Sequence, residues 1–211
     1  MKTITKITVA AALGLCAQAA LAELTQDEAN RLGGDELTPM GAERAANADG
    51  TIPAWTGGLT ELPAGYVEGQ PLVDPYPDDE VLFTITAANY EQYQDKLSPG
   101  QIALFKRYPN TYKMNVYPTR RSASYPQRIY DWSVKNATTA ELVEGGNGFL
   151  NARESIPFPI PKEGMEAVWN HLTRFRNDTV YRVYAAIAPS SGGAYTVVTT
   201  EEKIYFPYSV E

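Results

Sequence analysis

The stretch VYRVYAAIAPSSGGAYTVVTTEEKIYF, residues 180–206, decides the fold class of this 211-residue chain. Its two arms are rich in β-branched and aromatic residues, which favour extended strands. Between the arms lies SSGG, a run of small residues with high turn propensity. The stretch therefore predicts an antiparallel β-hairpin.

The first arm of this hairpin carries almost no charge on either face. Because side chains alternate along a strand, Tyr181, Val183 and Ile187 share one face, while Arg182 begins the other. One face could pack on a helix while the other lines an apolar cavity, or both faces could belong to an ordinary core. The sequence leaves both interpretations open.

A helix is predicted upstream of the hairpin, near residues 162–176, after an arm with three alternating prolines. Prolines stiffen the arm, and the last one is well placed to begin the helix. Apolar residues then recur at spacings of three and four, which predicts one buried stripe. The stripe consists of Met165, Val168, Leu172 and Phe175.

Nothing around His171, the only histidine, predicts catalysis. The chain has no Gly-x-Ser-x-Gly or Ser-x-x-Lys motif to supply a nucleophilic serine. The only cysteine, Cys16, falls in a predicted signal peptide, so a thiolate nucleophile or zinc ligand is excluded in the mature chain. Residues 78–80 are acidic, but they lie in a proline-rich loop where a solvated surface is expected. We therefore expect no enzyme and no cofactor.

The first 22 residues predict export to the periplasm. Lys2 and Lys6 precede an apolar run that ends in Ala20-Leu21-Ala22, a signal-peptidase site. The run is shorter than the roughly 20 residues that a membrane-spanning helix requires. We expect cleavage before Glu23.

The charge balance disfavours nucleic acid as a partner. The chain has 18 basic and 25 acidic residues, for a net charge of −7, whereas phosphate contacts require clustered cations. The nearest approach to a basic patch is formed by three arginines, which we take as candidates for docking a protein partner. They are Arg120, Arg121 and Arg128.

Two regions are predicted within the exported chain. Residues 23–80 are rich in Gly, Pro and Asp but contain apolar anchors such as Met40 and Trp55, which predicts an extended strap on a folded body, with one short helix capped by Thr25. Residues 81–211 are predicted to form a helix-capped antiparallel sheet. Two helices are expected near residues 87–108, followed by short extended pieces and turns over residues 112–132.

Five long blocks of the sequence resemble one family. They are LTPMGAERAANADGTIPAWTGG (37–58), FTITAANYEQYQDKLSPGQIALFKRYP (83–109), VYPTRRSASYPQRIYD (116–131), NATTAELVEGGNG (136–148) and IPFPIPKEGMEAVWNHLTRFR (156–176). With these blocks the chain resembles the secreted Gram-negative family catalogued as domain of unknown function thirteen twenty-nine. Members are typically longer, so the resemblance implies that this chain is the N-terminal half of a longer domain.

The resemblance also implies a fold and a class of function. The family is thought to be related to the LolA and LolB lipoprotein carriers, whose curved antiparallel sheet is closed by helices over an apolar cavity. This relation implies handling of hydrophobic cargo between membranes. It also implies a resistance-nodulation-division exporter and an outer-membrane-associated protein as companions.

We therefore expect an α+β protein with an incomplete LolA/LolB-like half barrel that binds or shuttles a lipid-like ligand without catalysis. One alternative is a structural or assembly subunit that docks through the three arginines. Another is a glycan-binding protein or glycosidase, since aromatic side chains also stack on sugars and two carboxylates suffice for that chemistry. The candidate ligand-binding residues are Trp169, Leu172, Phe175, Tyr181, Val183 and Ile187.

Overall fold

The computed structural model describes residues 24–210, so the predicted signal peptide lies outside the described residues. The elements in chain order are α1 (Gln26–Ala29), β1 (Phe83–Thr86), a 3-10 helix (Tyr90–Lys96), α2 (Pro99–Arg107), β2 (Lys113–Val116), α3 (Gln127–Thr139), β3 (Glu141–Val143), a 3-10 turn (Glu144–Gly146), β4 (Gly148–Leu150), α4 (Gly164–Thr173), β5 (Thr179–Pro189), β6 (Tyr195–Tyr205) and a 3-10 turn (Pro207–Ser209). This mixture of helices and strands confirms the α+β class.

The strands form three small antiparallel sheets of two strands each: β1 with β2, β3 with β4, and β5 with β6. Within residues 24–210 none of these sheets closes into a barrel. The β5–β6 hairpin is the longest, with Thr179 opposite Tyr205 at its base and Pro189 opposite Tyr195 at its tip. The predicted hairpin is therefore confirmed.

Helix α3 lies at the core, and the prediction of short extended pieces and turns was wrong for this segment. Pro126 is the N-cap, and its fixed φ suits the start of a helix. Ile129 is fully buried, and Ala137 packs with Ala29 and Leu32 in the central apolar cluster. By itself, the Tyr125-Pro126 pair is also compatible with a turn. The helix forms here because its apolar face is buried against α1.

Asn136 joins α3 to the segment that leads into the proline-rich arm. Its side-chain amide is fully buried and donates to the carbonyls of Arg153, at 2.8 Å, and Ile156, at 3.2 Å. Its oxygen accepts from the Arg153 amide at 3.2 Å. One side chain thus satisfies several backbone groups of this segment, among them the buried carbonyl of Ile156.

The strap, residues 23–80, begins with α1 and then follows the body. Thr25 and Glu28 form the capping box predicted at the start of α1. Gly41 has a φ of +82°, and a Cβ placed there would lie 1.6 Å from the carbonyl oxygen of Pro159. The strap therefore approaches the proline-rich arm so closely that only glycine fits.

The two helices predicted near residues 87–108 are present, but the first is a 3-10 helix. Ser98 caps α2 through a reciprocal capping box with Gln101. Phe105 of α2 is fully buried, with its ring 5.5 Å from that of Tyr90 and 4.7 Å from that of Tyr112. The 3-10 helix is therefore joined to α2 by aromatic packing.

No helix within residues 24–210 has the length and apolar character needed to cross a bilayer.

Candidate functional site

Helix α4 exposes the stripe that the sequence predicted to be buried. Met165, Val168 and Leu172 are all exposed, and no residue of α4 is buried. The prediction of a buried stripe was therefore wrong for the described residues. Spacing identifies which side chains share a face, but the amount of apolar surface packed against that face depends on elements distant in sequence.

The β5–β6 hairpin is exposed on both faces. Tyr181 is 59%, Val183 is 56% and Ile187 is 61% exposed. Residues 185–200, which we call the distal half of the hairpin, contain no charged side chain. Soluble proteins rarely leave a contiguous apolar surface of this kind uncovered, and such surfaces mark binding sites.

The strand register divides the hairpin into two faces, because directly opposed residues of an antiparallel pair project to the same side. Ile187 opposes Val197, and Val183 opposes Glu201. We call this side the apolar face, since most of its larger side chains are apolar; Glu201 and Lys203 also lie on it, near the base of the hairpin. The larger apolar side chains are Tyr181, Val183, Ile187, Tyr195, Val197 and Tyr205.

The opposite face is polar near the base of the hairpin. Arg182 Nε donates to Glu202 at 2.6 Å, and the Tyr184 hydroxyl donates to the same carboxylate at 3.0 Å. These two hydrogen bonds, with that of Arg182 the larger cause, lower the pKa of Glu202. The charge therefore stays close to the base, and the distal half is left uncharged.

Trp169 and Phe175 pack against the body. The Trp169 indole donates to the Gly146 carbonyl at 3.0 Å, and its ring lies 5.3 Å from that of Phe149. The Phe175 ring lies 6.4 Å from that of Tyr125 and under the guanidinium of Arg128. Of the six predicted ligand residues, the structure thus brings three together on the apolar face of the hairpin, leaves Leu172 exposed on α4 and half-buries the other two.

Two of the candidate docking arginines join the strap to the body. Arg121 donates to backbone carbonyls of the strap, including those of Glu43 at 2.6 Å and Arg44 at 3.1 Å. Arg120 binds the Asp79 carboxylate, with Nε 3.0 Å from Oδ2, and lies over the Tyr76 ring. The Asp79 pairing raises the pKa of Arg120 and lowers that of Asp79. Both guanidinium groups therefore hold residues that are distant in sequence.

The third arginine, Arg128, organises a partly buried ion cluster. It forms ion pairs with Glu154 and with Asp178, the latter at 3.0 Å. The Glu154 side chain is fully buried, and its Oε1 has no hydrogen-bond partner among the described residues. Arg128 also donates to the Ser209 carbonyl at 3.3 Å, which ties the segment after β6 to α3. Half-buried and engaged in this way, the guanidinium has a structural role.

A groove lies where the strap crosses the segment before α3, and the sequence did not predict it. It has a volume of about 270 Å³ and is lined by apolar side chains that include Met40, Trp55, Tyr125 and Tyr130. The Trp55 indole donates to the Ala123 carbonyl at 3.0 Å, which holds the strap against this wall. The apolar anchors of the strap were the signal, but the wall they face could not be identified before α3 was known.

The structure also places the histidine and the acidic residues that the sequence singled out. His171 lies exposed on α4, and its carbonyl accepts from Arg174. In the described part of the chain, no group of three or more His, Cys, Asp or Glu side chains is positioned to hold a metal ion. Of the acidic residues 78–80, Asp79 is engaged by Arg120.

The amino-acid sequence is similar to those of known proteins. Residues 84–211 match the family described as "Protein of unknown function (DUF1329)". The chain is 50% identical over 196 residues to the uncharacterized protein PA3922 of Pseudomonas aeruginosa, a match that covers 92% of this chain and 43% of that relative. The chain thus spans less than half the length of the relative. No solved structure shows a significant match.

Proposed function

Since this chain belongs to the DUF1329 family of proteins of unknown function, we propose, from its surface chemistry, that it binds or shuttles a lipid-like hydrophobic ligand without catalysis. The proposal places the protein in the periplasm, where such a ligand must cross water between two membranes. An exporter or an outer-membrane protein would supply or receive the ligand. The family membership predicted from the sequence blocks is confirmed; its relation to the LolA and LolB carriers is part of the proposal.

The observation that carries the proposal is the exposed apolar face of the hairpin. Completely burying a Val or Ile side chain contributes about 1.5–3 kcal/mol, so covering one that is already partly buried contributes about 1 kcal/mol. The face has three such side chains, Val183, Ile187 and Val197, which would together contribute on the order of 3 kcal/mol of favourable transfer free energy. Glu201 and Lys203 lie on the same side near the base of the hairpin, so an apolar ligand gains this free energy chiefly at the uncharged distal half.

Helix α4 is the second surface that supports the proposal. Its exposed residues Met165, Val168 and Leu172 offer a further apolar stripe. In the fold we propose, the antiparallel sheet curves around an apolar cavity, and α4 covers the ligand on one side. Trp169, in the middle of α4, and Phe175, just after it, pack against the body and so position this stripe.

The test is to identify what the protein carries. Mature protein purified from the periplasm is analysed by gentle native mass spectrometry, followed by organic extraction and identification of bound molecules. We expect a near-stoichiometric apolar molecule that is released on extraction. Protein that is empty, and that also takes up no fatty acid or phospholipid from detergent-free vesicles, would contradict the proposal.

Two matched variants locate the ligand on the hairpin. Val183→Glu adds a second carboxylate on the apolar face, directly opposite Glu201, whereas Val198→Glu adds the same charge on the opposite face. The two valines are 56% and 55% exposed, so the substitutions have similar effects on solvation of the empty protein. We expect ligand loading to fall at least about tenfold for Val183→Glu, the equivalent of 1.4 kcal/mol, and to persist for Val198→Glu. Equal loading of both variants would refute the assignment of the site.

A further inference from the structure

The hydrogen bonds at the two ends of the hairpin show which residues direct their backbone N–H and C=O groups away from the partner strand. At the tip the Ser190 amide donates to the Ala194 carbonyl at 2.8 Å, and at the base the Phe206 amide donates to the Asp178 carbonyl at 2.8 Å. Directly opposed residues alternate between hydrogen-bonded and non-hydrogen-bonded pairs along an antiparallel ladder. The even-numbered residues of β5 therefore bond to β6, and the odd-numbered residues direct their amide and carbonyl groups away from it.

The outward groups of β5 form an open edge without a charge. The odd-numbered residues on this edge that retain an amide hydrogen are Thr179, Tyr181, Val183, Ala185 and Ile187.

The corresponding edge of β6 is different, because its outward residues include Glu201 and Lys203. Charged residues on an edge strand oppose the addition of another strand, and their absence favours it. The two edges of the same hairpin thus differ in their protection: β5 has only Pro189, at its tip, and is the less protected one.

A hairpin of two strands is also too small to be stable in water unless more strands or a helix pack on it. Within residues 24–210, β5 pairs only with β6. Both faces of the hairpin are exposed along most of its length. An uncovered apolar face and an uncharged edge together favour the addition of a further strand.

We propose that the outer edge of β5 is a docking site for an additional strand, supplied by polypeptide that the longer Pseudomonas relative carries outside the region matched here. The match to the family includes the hairpin, so the hairpin belongs to the family and is not peculiar to this chain. The Pseudomonas relative has more than half of its length outside the match, which is ample for such a strand. The strand would carry apolar side chains at alternate positions, because its neighbours on the apolar face are Tyr181, Val183 and Ile187.

This inference concerns the backbone edge of β5 and is independent of the ligand proposed above. A strand added at this edge would widen the apolar face, and it would do so whether or not a lipid binds there. The two proposals fail separately: strand addition is read from complex formation, and ligand binding is read from extraction.

The experiment uses the complete chain and one defined probe. The chain is produced in the same cell as a polypeptide that consists of the part of the Pseudomonas relative outside the matched region, so that the two can fold together. The complex is isolated through a tag on the chain and its stoichiometry is measured by native mass spectrometry. Hydrogen exchange then compares β5 with β6, and a slower exchange of β5 amides is expected in a one-to-one complex.

Two proline substitutions form a matched pair at the same level of the hairpin, because Ala185 lies opposite Thr199. Each removes one outward amide and leaves the hydrogen bonds between the two strands in place, and proline is tolerated at such edge positions. Ala185→Pro should reduce recovery of the complex at least about tenfold, since a donor is lost and the ring obstructs the incoming strand. Thr199→Pro should leave recovery unchanged. Hydrogen exchange of the even-numbered β5 amides verifies that both variants keep the hairpin.

Three results would overturn the proposal. Loss of the complex in both variants, or in neither, would place the contact away from the β5 edge. A homodimer of the chain that Ala185→Pro dissociates would make a second copy the occupant. Recovery of both polypeptides as soluble, separate species would exclude the probe as the source of the strand.

Discussion

Replacing Asn136 by alanine is expected to destabilise the folded chain by about 3 kcal/mol. The side chain makes three hydrogen bonds of 3.2 Å or less to backbone groups, two with Arg153 and one with Ile156, and a longer one to Ser155. Each contributes about 1 kcal/mol net, and more where its partner is left buried and unsatisfied. For a chain of this size, the loss corresponds to a fall in Tm of about 6–12 °C.

The assay is urea and thermal unfolding followed by circular dichroism, with hydrogen exchange of residues 153–156 as a local probe. Gln127→Ala is the control on the same helix, because its side chain is exposed and bonds only to the exposed Asp131. It should cost no more than about 0.5 kcal/mol. Asn136→Asp keeps the size of the side chain but places a carboxylate against two carbonyls, so it should be at least as destabilising as alanine. If Asn136→Ala costs no more than the control, the reasoning is refuted.

Three further predictions test the strap and the helical packing. Gly41→Ala should destabilise the protein far more than Gly50→Ala, since both glycines have positive φ but only a Cβ at position 41 meets another backbone segment. The urea midpoints of the two variants measure the cost of that contact. Equal midpoints would contradict the prediction. Phe105→Ala should lower the free energy of unfolding by about 3–5 kcal/mol, whereas Leu104→Ala, at an exposed neighbour, should lower it by less than about 1 kcal/mol. Similar losses of thermal stability in the two variants would show that the aromatic cluster is not a core. Arg120 lowers the pKa of Asp79, so the folded state is stabilised by the ionised carboxylate. The native chain should therefore be more stable than Asp79→Asn above the ordinary aspartate pKa of about 3.9, and this difference should vanish as the pH falls through the lowered pKa. A difference in urea unfolding that persists at about pH 2 would contradict this linkage.

The elements predicted best are those determined by short-range interactions. The β-branched arms around SSGG predicted the hairpin, and Thr25 predicted the start of α1, which the capping box confirms. The signal for α4 was equally local, and the helix is present. Its burial was not local, and that part of the prediction was wrong.

The candidate site shows the same division. The alternation along β5 placed Tyr181, Val183 and Ile187 on one face, as the strand register requires. The same alternation could not distinguish a buried face from an exposed one. Trp169 was grouped with these residues by composition, but its hydrogen bond to Gly146 directs it to the β3–β4 turn. The roles of the arginines were also beyond prediction, because their partners lie far along the chain.

The sequence by itself determined the α+β class, the hairpin, its two faces and the cap of α1, and its blocks identified the family. These properties depend on residues within a few positions of one another, where propensity, alternation and side-chain capping act directly. Only the tertiary structure decided that α3 lies in the core, that Arg121 joins the strap to the body, and that the hairpin and α4 leave apolar side chains exposed. Burial is a sum over contacts between distant segments, and no local pattern contains that sum.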